Sequence, residues 1–352
     1  MSDMQTGAPG RAGTRLSAVA WIAAIYTYLL IVFGGIVRIT GSGLGCGDDW
    51  PRCNGQWIPT FDLETFIEWF HRLLAAGMFL PIGALLALAL MHRKEASAAE
   101  RNLVVPAVAA VVMLVVQALL GALTVRLELE APTVTVLHFG LANLLLALLI
   151  GTAARAGAIG AGRAPAVTEE AASGARKLVR TAVAAAGIGF LVLLMGAFTA
   201  NVGKTPGAAG AGPAAWACGV VEGSFFRSFP LCNGEWLPAS GGGGLVHIHW
   251  THRLLAFLLF FHVVGGVIVA WRRGAPSAVR IAATVALAVI VAQLVVAANL
   301  ILLRLPNALQ VLHLVAGVAA WGALVWWAAV ARRAAAQIAV AAKTASGAPA
   351  GR

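Results

Sequence analysis

Eight mostly apolar stretches, near 17–37, 66–91, 103–125, 134–154, 181–201, 245–271, 279–303 and 308–331, alternate with shorter polar segments along the chain. A helix needs roughly 20 apolar residues to cross the hydrocarbon of a bilayer, so the pattern predicts eight transmembrane helices. The polar start of the chain carries Arg11 and Arg15 and runs into the first stretch without a convincing small-residue cleavage site. That stretch therefore reads as a retained helix and not as a signal peptide. An even number of spans places both termini on one side.

Composition says the same: 60% of the residues are hydrophobic, 11% are charged and the mean hydropathy is +0.86, so lipid and not water is the main solvent. The net charge of +11 is a topology signal. Arg93, Lys94, Arg101, Arg176, Lys177, Arg272, Arg273, Arg332 and Arg333 fall on the side of the termini, and only Arg38, Arg52, Arg126, Lys204, Arg227 and Arg304 on the other. Basic residues collect on the cytoplasmic face, so the termini are expected in the cytoplasm of a cell-membrane protein, with the basic face meeting anionic lipid. Nucleic acid is not an expected partner. Cys46, Cys53, Cys218 and Cys232 all fall in the two long loops on the outer side. Such placement suits an oxidising compartment and disulfides; zinc is the alternative, although neither pair has the close spacing of a structural zinc site.

The chain repeats itself. Cys53-Asn-Gly-Gln-Trp57 returns as Cys232-Asn-Gly-Glu-Trp236, and Glu68-Trp-Phe-His71-Arg-Leu-Leu-Ala75 as His249-Trp-Thr-His252-Arg-Leu-Leu-Ala256. Val116-Gln117 matches Ala292-Gln293, and Val136-Leu-His138 matches Val311-Leu-His313. Four helices separate the copies, so the repeat is parallel and not inverted. The expected fold is all-α and integral to the membrane, a tandem pair of pseudo-symmetric four-helix bundles. Its parts are a tail over 1–16, a first half over 17–154, a linker over 155–180, a second half over 181–331 and a tail over 332–352.

His71 and His138 lie at one depth near the outer ends of the second and fourth helices, and His252 and His313 repeat this on the sixth and eighth. Two imidazoles facing each other across an apolar bundle are what a six-coordinate haem iron requires. Zinc is a rival, but two histidines per half fall short of its usual ligand set unless Glu68 or His249 joins them. Arg72 and Arg253 follow two of these histidines, where they could snorkel outward or pair with a haem propionate. His262 reads as a polar residue bonded to a neighbouring helix, His92 as a loop residue, and His247 has no assigned role.

The halves differ where chemistry would need them to. Glu68 lies nearly one turn before His71 and shares its face, whereas the second half has His249 there. A carboxylate in an apolar pocket suits acid-base work, and an ion pair with Arg38 or Arg72 is the plainer reading. Arg38 has Ala200 as its counterpart, so charged groups gather in the first half. That asymmetry suggests one reacting haem and one that carries electrons.

Gly34-Gly-Ile-Val-Arg-Ile-Thr-Gly-Ser-Gly-Leu44 with Cys46 after it, Trp50-Pro51, Cys53-Asn-Gly-Gln-Trp57 and Glu68-x-x-His71-Arg72 together resemble the haem A synthase family, in its bacterial form with two cysteine pairs. The resemblance runs from about Ala18 to Val330. It implies an oxidoreductase that converts a ring methyl of haem O to a formyl group by successive hydroxylation, with oxygen from water, giving haem A for terminal oxidases. On these positions it implies His71 and His138 as ligands of the substrate haem O, Glu68 as the catalytic acid-base or cation-stabilising group, and His252 and His313 as ligands of a b-type haem. It pairs Cys46 with Cys53 and Cys218 with Cys232, and allows the first pair a redox role. Implied partners are haem O synthase, oxidase assembly factors and an unidentified electron acceptor; a homo-oligomer is also compatible. The rivals are a di-haem b-type cytochrome in quinol-linked electron transfer, which has no use for Glu68, and a colourless transporter or scaffold.

Overall fold

A computed structural model describes residues 11–93, 103–157, 169–201, 218, 228–238 and 243–345. The first ten residues, Lys94, Arg101, the middle of the expected linker, Lys204, Arg227 and the chain beyond Ala345 lie outside them. Helices α1 (Arg11–Ile39), α2 (Leu63–Gly77), α3 (Phe79–Met91), α4 (Val104–Arg126) and α5 (Pro132–Arg155) build the first half. The second half has α6 (Glu169–Asn201), α7 (Gly243–Arg272), α8 (Ser277–Leu302) and α9 (Asn307–Ala345). Among the described residues, eight segments are long and apolar enough to cross a membrane, as expected, α2 and α3 forming one of them. The protein is a multi-pass membrane protein. Large apolar side chains such as Leu80, Val105 and Phe261 are exposed, as lipid-facing positions require.

The segment Leu63–Met91 is interrupted at Met78. Pro81 explains the break, because it donates no N–H and its ring collides with the carbonyl one turn back, at Gly77. The continuous α7 has His262 at the aligned position. There the ring does what the sequence suggested: Nε2 lies 2.9 Å from the Thr181 carbonyl of α6. Two helices outrun their apolar stretches, since α6 begins at Glu169 within the expected linker and α9 runs on to Ala345. Turns already in progress extend at little cost once nucleated, and no proline or glycine breaks the alanine-rich sequence after Val330 as far as Ala345.

Helices within each half pack on one another, and the halves meet where α1 and α5 face α6 and α9. Among the described residues the two larger apolar cores lie around Leu85, Leu114 and Leu149 and around Val263, Leu324 and Trp327. Polar bonds also join the halves. The Tyr28 hydroxyl donates to the Val315 carbonyl at 3.1 Å, the Trp321 indole to the Asn143 carbonyl at 3.1 Å and Arg38 Nε to Asn201 Oδ1 at 2.9 Å. Arg38 also donates to the Ala200 carbonyl, so it crosses to its own repeat counterpart.

Candidate functional site

Each Cys-Asn-Gly-x-Trp motif is a tight turn. Asn54 and Gly55, and again Asn233 and Gly234, have positive φ, the conformation that an Asn-Gly pair adopts most readily in a two-residue turn. Cys53 and Gln56 exchange backbone hydrogen bonds across the first turn, and Cys232 and Glu235 across the second. The four cysteines form Cys46–Cys53 and Cys218–Cys232 disulfides, which removes them as zinc ligands. The Trp69 indole donates to the Trp57 carbonyl at 2.8 Å and Trp250 to Trp236 at 2.7 Å. These bonds pin each loop against the helix that follows it.

The arginine after each ligand candidate completes the attachment. Arg72 Nη1 donates to the carbonyls of Asp49 and Arg52, both at 2.7 Å, while Nε and Nη2 reach Glu68 Oε1 at 3.2 and 2.6 Å. Arg253 donates in the same way to the carbonyls of Ser228, Leu231 and Cys218, with Nε 3.3 Å from His249 Nε2. Neither side chain snorkels to water. Both clamp a loop, a use of five fixed donors that lysine cannot copy.

Glu68 is 3% exposed and fully partnered, since its second oxygen accepts the Cys46 N–H at 2.9 Å. The sequence offered Arg38 or Arg72 as its ion-pair partner; the structure selects Arg72. His249 occupies the same cradle, with Nδ1 3.1 Å from the Cys218 N–H. The cradle is therefore common to both halves, and only its occupant changes from carboxylate to imidazole. Asp62 caps α2 below this loop, accepting the Thr65 N–H at 2.7 Å, which holds its carboxyl below the usual carboxylate range. Gly45 brings the loop onto the start of α2 so closely that a Cβ would lie 2.5 to 2.7 Å from backbone atoms of Glu64 and Thr65. Gly45→Ala should therefore lift the loop and cost about 1–3 kcal/mol, as overpacking generally does; thermal unfolding in detergent would show it as a lower midpoint.

His71, His138, His252 and His313 all line one continuous cavity of about 1580 Å³, which Glu68, Arg38, Arg72 and His249 also border. Pockets for drug-sized ligands measure roughly 300–1,000 Å³, so the cavity exceeds the needs of one such molecule. The His252 and His313 ring centroids are 6.4 Å apart with planes at 76°. Two metal–imidazole bonds of about 2 Å each, plus the half-widths of two rings, come to a separation of about 6 Å across one metal. Space for a flat group is kept open by small residues: a Cβ on Gly34 would come within 3.1 Å of the His71 ring and one on Gly196 within 2.9 Å of the His252 ring. The His252–His313 pair fits bis-histidine ligation of a large planar group, and His71 and His138 border the same cavity. Among the described residues no cluster of three or more His, Cys, Asp or Glu side chains is placed to hold a bare metal ion.

Two site residues escaped the sequence reading, which saw Gln117 and Gln293 only as matched positions. The Gln117 amide nitrogen donates to the His138 backbone carbonyl at 2.9 Å and lies 3.4 Å from its Nε2. The Gln293 amide nitrogen lies 3.0 Å from His313 Nδ1. A polar residue on the helix preceding each histidine, repeated in both halves, was the available signal.

A family profile described as cytochrome oxidase assembly protein matches residues 17–325. A protein from Alkalihalophilus pseudofirmus named haem A synthase is 30% identical over 254 residues, which cover 71% of this chain and 74% of that one. The haem A synthase of Bacillus pumilus is 36% identical over 147 residues, 39% of this chain and 47% of its own length. A Thermus thermophilus protein named protohaem IX farnesyltransferase is 31% identical over 320 residues, 88% of this chain. The matches thus span about half the length of the Bacillus pumilus and Thermus proteins, 47% of each. With a profile match over most of its length and relatives of this similarity, the chain belongs to the cytochrome oxidase assembly protein family.

Proposed function

We propose that the chain is a haem A synthase, an oxidoreductase that converts the ring methyl of haem O to a formyl group. The observation that carries the reading is the pairing of two histidine sets on one cavity with a buried carboxylate beside only the first. His71 and His138 hold the substrate haem O in the half over 17–154, and His252 and His313 hold a b-type haem in the half over 181–331. That b-type haem supplies one-electron redox chemistry within the membrane.

Each hydroxylation adds the oxygen of one water to the methyl carbon and removes two electrons and two protons. Two rounds give a hydrated aldehyde, which loses water to leave the formyl group. The electrons go to an external acceptor. Glu68, held by Arg72 and the Cys46 N–H on the wall of the cavity, would stabilise positive charge as the carbon becomes electron-poor, or accept the proton. Arg72 and Arg253 serve haem binding by fixing the loops that roof each pair. The side bearing both disulfides faces outward and both termini face the cytoplasm, in accord with the bias of basic residues.

Prenyl transfer to haem supplies a substrate of this kind, and the Thermus relative carries that activity in its name. Haem O synthase and oxidase assembly factors are accordingly the proposed partners. A di-haem electron carrier, which none of the named relatives is, gives no reason for Glu68. Extraction of bound haems from purified protein, with mass spectrometry, separates the two: haem O or its oxidised products beside haem B are expected. Haem B alone, from cells that make haem O, would favour the carrier.

A further inference from the structure

A ligating histidine usually donates its second ring N–H to an oxygen, which fixes the tautomer, aims the other nitrogen at the metal and strengthens the bond. The two pairs differ here. In the second half the Nδ1–H of His252 donates to the Val192 carbonyl of α6 at 3.0 Å. His313 Nδ1 has the Gln293 amide 3.0 Å away, and Gln293 Oε1 is buried with no partner. If Nε2 of His313 binds metal, Nδ1 carries the proton. A half-turn of the Gln293 amide then puts Oε1 against that proton, so the unpartnered oxygen gains a donor and the ring N–H an acceptor. Which end of an amide points where follows from such partners.

Among the described residues of the first half, neither histidine has such a support at Nδ1. His71 Nδ1 and His138 Nδ1 are both buried without a partner. Leu30 stands where the second half has Val192, but its carbonyl does not engage the His71 ring. Gln117 matches Gln293 in sequence and its Oε1 is likewise buried without a partner, but its amide nitrogen is bound to the backbone carbonyl of His138, a bond that a half-turn of the amide would break.

We infer that the second half is built to retain its haem and the first to exchange one, with Gln293 and the Val192 carbonyl as the positioning groups that make the difference. This rests on the reading that each histidine pair ligates a haem. It explains how one duplicated scaffold serves a resident group and a passing substrate: the imidazoles are kept, and the oxygen behind them is supplied or withheld. Loss of such a partner generally costs 10–100-fold in metal affinity, so the two sites should release haem at rates differing by about that factor.

The test is transfer of haem from the purified full-length protein to excess apomyoglobin, followed by absorbance. His71→Ala and His252→Ala proteins assign each spectral component to its half. The parent should lose haem from the first half about 10–100-fold faster than from the second. Gln293→Leu should speed loss from the second half by a similar factor, and Gln293→Glu, which keeps an acceptor and has no amide donor, should restore retention. The carboxylate should also lower the reduction potential of that haem, a change that a merely structural residue would not cause. Equal release from both halves of the parent, or loss of retention in Gln293→Glu as severe as in Gln293→Leu, would overturn the inference while leaving haem ligation intact. A purified chain that holds no haem would overturn both.

Discussion

Glutamine in place of Glu68 is expected to slow conversion of haem O by about 10²–10⁴-fold, the usual contribution of a positioned acid-base group. Both carboxylate oxygens are engaged, one by Cys46 N–H and one by Arg72. A glutamine keeps the shape and one acceptor, but its amide must turn a donor toward another donor. A stability loss of about 1–3 kcal/mol should accompany the rate loss, the cost of leaving one buried polar group unpaired. The rate effect is separable from unfolding by haem content: the variant should carry both haems while producing little haem A, and Glu68→Asp should recover part of the rate. Parent-level conversion by Glu68→Gln would remove Glu68 from the chemistry.

Leucine in place of Arg72 should have the larger effect on the fold. The substitution leaves Glu68 buried without its ion-pair partner, which costs about 3–5 kcal/mol in comparable sites. It also frees the carbonyls of Asp49 and Arg52, so the Cys46–Cys53 loop loses its attachment to α2. Hydrogen exchange should rise over residues 46–57, and haem O conversion should fall with it. Arg72→Lys should rescue little, because an ammonium cannot reach the carboxylate and two carbonyls together. If Arg72 acted only through a haem propionate, haem affinity would fall while exchange in the loop stayed at the parent level.

The eight spans were legible because apolar runs of bilayer length have few other uses, and the tandem repeat because its polar motifs stand out against that background. The histidines were legible for the same reason: an imidazole in lipid demands an explanation. The break at Met78 could have been read from Pro81, since proline removes a helical hydrogen bond whatever its surroundings. The double duty of Arg72 and Arg253 could not. Snorkelling and anion pairing are both local readings, whereas the carbonyls they bind come from loops some twenty residues away in sequence. The cradle shared by Glu68 and His249 was hidden likewise, because its decisive donors are the backbone N–H groups of Cys46 and Cys218. Backbone donors leave no trace in residue identity. Gln117 and Gln293 were visible as a matched pair, but their difference lies in orientation, which a sequence does not carry.

Counting haem per chain by the pyridine haemochrome spectrum, in the parent and in His71→Ala, His138→Ala, His252→Ala and His313→Ala, tests the arrangement most directly. Two haems are expected in the parent, with the first two variants losing one and the last two losing the other. A parent with a single haem, or variants of one pair that deplete different haems, would contradict the assignment of each histidine pair to its own haem.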